Sequence, residues 1–274
     1  MRTFFKWLEA EDDHANPYDG ARLQRHAHPA EVATPTWALR HPAESCTIRA
    51  RERPGAEAEL SVMGVWVIGT VSDQKMRELL QAAVQTSPSA PMPADADVPG
   101  KLAWWRSTAP ESLFSASETS PGSWVAHEDA FRLSAFFDNC HDDSDPVEAL
   151  GDAVMARFPP KEEEGLFAAT ARKASPFSAL AYALGPDAVL RLPGWFGDFL
   201  LHAEEVRAQL LAAEEALALT GTQRRDAVER IHRWMTGLGD DPDYDAEELL
   251  DGPLRVLRHA VRTGQGAAGL VRWY

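Results

Sequence analysis

The chain has 274 residues, of which 45% are hydrophobic and 25% are charged, as in an ordinary globular protein that is long enough to bury a sizeable core. Its formal net charge of −15 argues against a nucleic-acid partner, and it contains no apolar run of about eighteen residues that would predict a membrane span. Its two cysteines, Cys46 and Cys140, cannot form a disulfide framework and fit a reducing compartment.

The first 55 residues are rich in proline and histidine and carry few periodic signals. They begin without the apolar core of a signal peptide, because a short aromatic stretch leads directly into an acidic one. We therefore expect a cytoplasmic protein without a membrane partner.

The next part of the sequence predicts a strand, a turn and a helix. Residues 60–68 form the one strongly apolar run rich in β-branched residues, which predicts a central strand. The turn at 69–72 leads into a helix predicted for 73–85; such a turn can hold an anion, but it lacks a phosphate-loop or dinucleotide motif, so we interpret it as a plain connection. The proline-rich stretch 86–100 predicts a linker or mobile loop, and 101–106 a strand that rejoins the sheet.

Helices dominate the predictions for the second half of the chain. Residues 124–140 predict a helix, and Asp145, followed by proline, predicts the start of another that ends before Pro159. Two short helices are predicted at 166–173 and 177–184.

Residues 195–274 contain the clearest periodicity in the sequence. Apolar residues at helical spacing mark three amphipathic helices, with buried faces at 199–217, 228–238 and 250–261. Gly264 is predicted to end the third helix, and an apolar tail at 270–274 predicts a terminal strand.

The order of elements in this C-terminal third also resembles a known family. Glu204 to Val206 open the first helix, basic and acidic residues alternate on the second, and residues 262–266 close the third before the apolar strand. This arrangement resembles the end of the YfbM-like family of bacterial proteins. That family is functionally uncharacterised, so the resemblance implies a bacterial origin but transfers no catalytic residue.

Acidic residues are concentrated in one segment. Residues 111–170 contain 13 acidic residues and three basic ones, and therefore carry a net charge of −10. Such a segment forms either a solvated acidic face or a surface for a basic partner or cation. The residues assigned to a partner surface are Asp142, Asp143, Asp145, Glu162, Glu163 and Glu164.

The same segment contains a candidate metal site at Asp138 and His141. Their spacing of three residues lets a carboxylate and an imidazole on one helix bind the same cation. His127 would add a third ligand on the same face, but on a continuous helix it lies roughly 21 Å from His141 along the axis. The alternative interpretation is a helix end with N-capping acids.

These patterns together predict an α+β protein with a small mixed or antiparallel sheet and a predominantly helical C-terminal half. We expect a small α+β part at 1–110 and a mainly helical part at 111–274, which become one unit if the terminal strand returns to the sheet. Two functions are open. The first is a binding protein whose acidic face engages a basic partner, such as an immunity or inhibitor protein. The second is an enzyme with a metal or His/Asp centre near Asp138 and His141.

Overall fold

Four antiparallel strands form the sheet at the centre of the structure. The computed structural model describes residues 63–86, 98–141, 145–160, 164–240 and 244–274. The strands of this sheet are β1 (Gly64–Val71), β4 (Leu166–Ala171), β5 (Phe199–Leu201) and β6 (Gly266–Trp273), in the order β4-β1-β6-β5. A separate two-stranded sheet contains β2 (Phe114–Ala116) and β3 (Trp124–Ala126).

The sheet is surrounded by helices, which confirms the predicted α+β class. The helices are α1 (Asp73–Thr86), α2 (Val98–Ser107), α3 (Glu128–Asp138), α4 (Asp145–Met155), α5 (Pro176–Leu184), the short α6 (Pro186–Val189), α7 (Ala203–Leu217), α8 (Gly221–Gly237) and α9 (Glu248–Thr263). In the ranges given above, no helix has the length and apolar character needed to cross a membrane.

β1 occupies the interior of the sheet, as predicted for the apolar run at 60–68, of which residues 60–62 lie outside the described ranges. It pairs with β4 on one side and with β6 on the other. The register places Gly64 opposite Trp273 and Val71 opposite Gly266. The terminal strand is therefore longer than the predicted 270–274, and residues from both sides of position 110 share one sheet.

Each face of the sheet has its own helical cover. Val67 and Val71 of β1 lie in one buried cluster with Met76 of α1 and Val154 of α4. Trp66 of β1 belongs to the cluster on the opposite face, which α5 and α9 cover. Outside this second layer, α8 packs on α5 and α7 packs on α9. The alternation of β1 side chains between two apolar layers follows from the two-residue period of a strand.

The secondary structure predicted for two segments is wrong. Residues 101–106 lie in α2 instead of a strand, and α2 buries Leu102 and Trp105, which stand three positions apart on one helical face. Residues 166–171 form the edge strand β4 instead of a helix. The predicted loop 86–100 lies mostly outside the described residues.

The other predicted elements are confirmed with altered boundaries. The helix predicted for 124–140 is shorter, because 124–126 form β3 and α3 begins at Glu128. The three C-terminal helices are present as α7 to α9, although Phe199 belongs to β5 instead of the first helix. Gly264 ends α9 in a left-handed conformation with φ of 66°, as predicted.

A glycine inside α9 allows the helix to approach the sheet closely. A Cβ atom added at Gly252 would collide with the ring of Phe167, a β4 side chain that is only 1% exposed. Glycine normally destabilises a helix by about 1 kcal/mol relative to alanine. Here the absence of a side chain provides the space that the buried ring occupies.

We therefore expect Gly252→Ala to destabilise the protein by about 1–3 kcal/mol, because overpacking against a buried ring outweighs the gain in helix propensity. Gly151→Ala in α4 is the matched control, since its Cβ would meet the guanidinium of Arg272, the flexible end of a long side chain. Denaturant unfolding of both variants checks this. Equal losses of stability would show that the Phe167 contact is not the cause.

Candidate functional site

A buried polar contact joins His141 to a residue far away in the sequence. Nδ1 of His141 lies 2.8 Å from Oδ2 of Asp198, and the two side chains are 5% and 17% exposed. The other carboxylate oxygen, Oδ1, accepts a hydrogen bond of 2.8 Å from the backbone N–H of Val271 in β6. Because both oxygens of Asp198 have partners, the carboxylate fixes the orientation of the imidazole.

A tight turn at residues 195–198 positions this carboxylate. Trp195 and Asp198 exchange two backbone hydrogen bonds of 3.0 Å, and the two residues between them have positive φ angles, 48° for Phe196 and 94° for Gly197. A left-handed conformation costs a residue as bulky as phenylalanine about 1–3 kcal/mol. The ring of Phe196 is buried and packs edge-to-face on Phe136 of α3, 5.5 Å between centroids, which offsets that cost.

Asp138, the predicted partner of His141 in a metal site, lies three residues before it at the end of α3. Asp138 is the last residue of α3, and the backbone N–H of His141 lies 3.4 Å from its carbonyl oxygen. The exposed His127 stands at the opposite end of α3. Within the described ranges, no group of three His, Cys, Asp or Glu side chains could hold a metal ion. The Asp138–His141 site stays a prediction, and Asp198 is the carboxylate that sequence reasoning missed.

Only two of the six acidic residues predicted to bind a partner, Asp145 and Glu164, belong to the described residues. Asp142, Asp143, Glu162 and Glu163 lie outside the described residues, and Asp145 is the first residue of α4. Glu164 is exposed, and its Oε2 accepts a hydrogen bond of 2.7 Å from Nη2 of Arg262 and lies 3.3 Å from Nδ1 of His259. Glu164 therefore already has basic neighbours from α9.

One face of α3 presents charged and aromatic side chains to solvent. This α3 face consists of Glu128, Phe131, Arg132 and Ala135, all of which are exposed. Phe131 has 58% of its surface exposed, which is unusual for so large an apolar side chain. The guanidinium of Arg132 lies 4.1 Å from the ring centroid of Trp104, in a cation–π contact.

Several acidic residues of the segment 111–170 have no described basic partner, although Glu111 and Glu164 form ion pairs with Arg230 and Arg262. As far as the chain is described, no basic side chain forms an ion pair with Glu118, Glu128, Asp129, Glu148 or Asp152. In the C-terminal helices, by contrast, Arg224 contacts Glu247 and Asp251 at 2.8 Å each. Much of the uncompensated negative charge therefore belongs to the segment that the sequence singles out.

The contact between His141 and Asp198 leads to a stability prediction. We expect Asp198→Ala to cost about 1–3 kcal/mol, because it leaves the Val271 N–H and the imidazole without their acceptor. Asp198→Asn should cost less, since its amide oxygen can still accept from Val271 and its NH₂ group can face Nδ1 of His141. Urea unfolding of both variants measures the difference. A loss for asparagine as large as that for alanine would mean that the charge of Asp198 matters, and not its hydrogen bonds alone.

Comparisons with known proteins leave the fold and this site as the basis for functional reasoning. The resemblance to the YfbM-like family stays a prediction. No protein-family model, curated protein sequence or solved structure matches the chain.

Proposed function

We propose that this protein is a non-enzymatic binding protein whose acidic segment, 111–170, engages a basic protein partner. The observation that carries the proposal is that Glu118, Glu128 and Asp129 lack internal ion pairs among the described residues. In the C-terminal helices, by contrast, Arg224 and Arg258 form ion pairs with acidic residues. Unpaired acids keep their field available to a partner over the Debye length, about 10 Å at 0.1 M salt. An immunity or inhibitor protein that acts on a basic protein is the concrete form of this function.

The exposed ring of Phe131 supports the same proposal. It lies on the α3 face about one helical turn after Glu128, so an apolar anchor and an uncompensated acid stand side by side. Aromatic side chains carry a large share of the binding energy when a partner excludes water from them. The acids would then accelerate and orient the encounter, and Phe131 would slow dissociation.

The proposal includes a cytoplasmic location and a bacterial source. Cys140 is buried, and a chain with only two cysteines suits a reducing compartment. The bacterial source rests on the resemblance of the C-terminal third to the YfbM-like family.

The test separates the contribution of charge from that of the aromatic ring. Partners captured from the native host by the wild-type protein are purified. Their association and dissociation rates are then measured with the wild type, with the double variant Glu128→Lys/Asp129→Lys and with Phe131→Ala. We expect the charge reversal to lower the association rate by about tenfold or more, with a smaller loss at high salt. Phe131→Ala should mainly raise the dissociation rate.

Glu204→Lys is the matched control, because Glu204 is an exposed acid of α7 outside the acidic segment. It changes the net charge in the same direction and should leave the association rate nearly unchanged. A partner that binds the charge-reversed variant as fast as it binds the wild type would overturn the proposal. The acidic segment would then be a solvated face without a role in binding.

The contact between His141 and Asp198 favours a second candidate function, an enzyme with a metal or His/Asp centre near Asp138 and His141. A carboxylate on one ring nitrogen fixes the tautomer of an imidazole and leaves the other nitrogen to act as a base or a metal ligand. The low exposure of the His141 side chain, 5%, argues against easy access for a substrate. Metal analysis of the purified protein decides between the two functions: stoichiometric Zn, Fe or Mn that is lost in Asp138→Ala would favour the enzyme.

A further inference from the structure

A cavity lies at the start of α1, and residues 157–160 of the acidic segment form part of its lining. It is an open cleft with a volume of about 330 Å³, at the lower end of the range for small-molecule sites. The end of β1 and the start of α1 contribute Thr70, Ser72 and Lys75 to its lining. Residues 157–160 after α4 line another side, and His259 and Gln265 complete it.

The charges around this cavity are positive, in contrast to the chain as a whole. Lys75 and Arg157 line it, and none of its lining residues among those described is a carboxylate. Neither cation forms an ion pair within the part of the chain that the structure describes; Arg157 makes only a long contact of 3.5 Å with the carbonyl oxygen of Ala153. Two cations without an internal counter-charge at one cavity favour an anionic ligand.

The hydroxyl of Thr70 gives an independent indication of a polar ligand. Thr70 is 5% exposed, and no described residue forms a hydrogen bond with its Oγ1. A Cβ atom added at Gly165 would lie 2.6 Å from this Oγ1, 3.3 Å from Cγ of Pro159 and 3.5 Å from Cδ2 of His259. The hydroxyl therefore points toward the space shared by two other lining residues. A hydroxyl that lines the cavity without a described protein partner is free to donate a hydrogen bond to a ligand.

The N-terminus of α1 adds backbone donors on the same side. α1 is 14 residues long, so its N-terminus carries the partial positive charge of a helix end. The backbone N–H of Lys75 donates a long hydrogen bond of 3.4 Å to the hydroxyl of Ser72. A bound anion could replace this weak cap.

Two described acids near the cavity, Asp73 and Glu164, have other partners, and those of Glu164 include the lining residue His259. Oδ1 of Asp73 accepts a hydrogen bond of 2.9 Å from the N–H of Ala203 and lies 3.6 Å from Nδ1 of His202, on the β5–α7 side. Glu164 contacts Arg262 and Nδ1 of His259. Neither carboxylate neutralises Lys75 or Arg157.

We propose that this cavity binds the phosphate group of a small phosphate ester. Lys75, Arg157 and the two hydroxyls provide donors for the three terminal oxygens of a phosphate, more than a carboxylate can use. Phe158 and Pro159 form an apolar wall that suits the organic part of the ester. This inference does not depend on the proposed partner surface, because it uses none of the acidic segment's exposed carboxylates.

The experiment titrates the protein with inorganic phosphate and with phenyl phosphate at constant ionic strength, by calorimetry. We expect saturable binding of inorganic phosphate with a Kd of about 1 mM or tighter, and tighter binding of phenyl phosphate. Lys75→Gln/Arg157→Gln should weaken both by about tenfold or more. The matched control is Arg77→Gln/Arg207→Gln, which removes two exposed positive charges outside the cavity and should change neither Kd.

Thr70→Val separates ligand binding from folding. Valine has nearly the shape of threonine and the hydroxyl has no described partner to lose, so unfolding stability should stay close to that of the wild type while phosphate affinity falls several-fold. Equal phosphate binding by the wild type and the Lys75/Arg157 variant would overturn the site. Failure of phosphate to bind, or binding of acetate as tight as that of phosphate, would overturn the assigned ligand class.

Discussion

The pairing of β1 with β6 supports both the architecture and the two polar sites of this protein. Both strands lie in the interior of the sheet with apolar layers on each side, so their backbone groups have no water to bind and must bond to neighbouring strands. β6 also supplies the N–H of Val271 that holds Asp198, and β1 ends at the turn that forms the cavity. The positions of the His141–Asp198 contact and of the cavity therefore both follow from this one pair of strands.

Elements with a strong local signal were predictable from the sequence, whereas an element whose conformation depends on strand pairing was not. The apolar run of β1 and the periodic helices α7 to α9 carry strong local signals, and each is present in the structure. Residues 166–171 are rich in alanine, which favours a helix locally, but they are extended because their backbone pairs with β1. Tertiary pairing decides the conformation there, and no local pattern records it.

The candidate sites show the same limit. The sequence predicts a site at His141, but the carboxylate that contacts His141 in the structure is 57 residues away and comes from the turn before β5. The local signal for that turn is a glycine on each side of Trp195 and Phe196, followed by an aspartate and an apolar strand. Such a signal predicts a tight turn, but it cannot specify which side chain the aspartate will face. The charge of the acidic segment, by contrast, is a property of composition and needs no tertiary information to be recognised.

The late position of β6 in the sequence has a consequence for how the protein folds. Val71 lies opposite Gly266, so the interior of the sheet joins segments that are nearly as far apart as the described chain allows. Helices α7 to α9 can form early from local contacts, whereas the edge of β1 stays open until β6 has been synthesised. Closing so long a loop is entropically costly, which favours slow folding after the helices have formed. A nascent chain that ends before β6 presents an unpaired, apolar strand edge, the kind of surface on which chaperones act and from which aggregation begins.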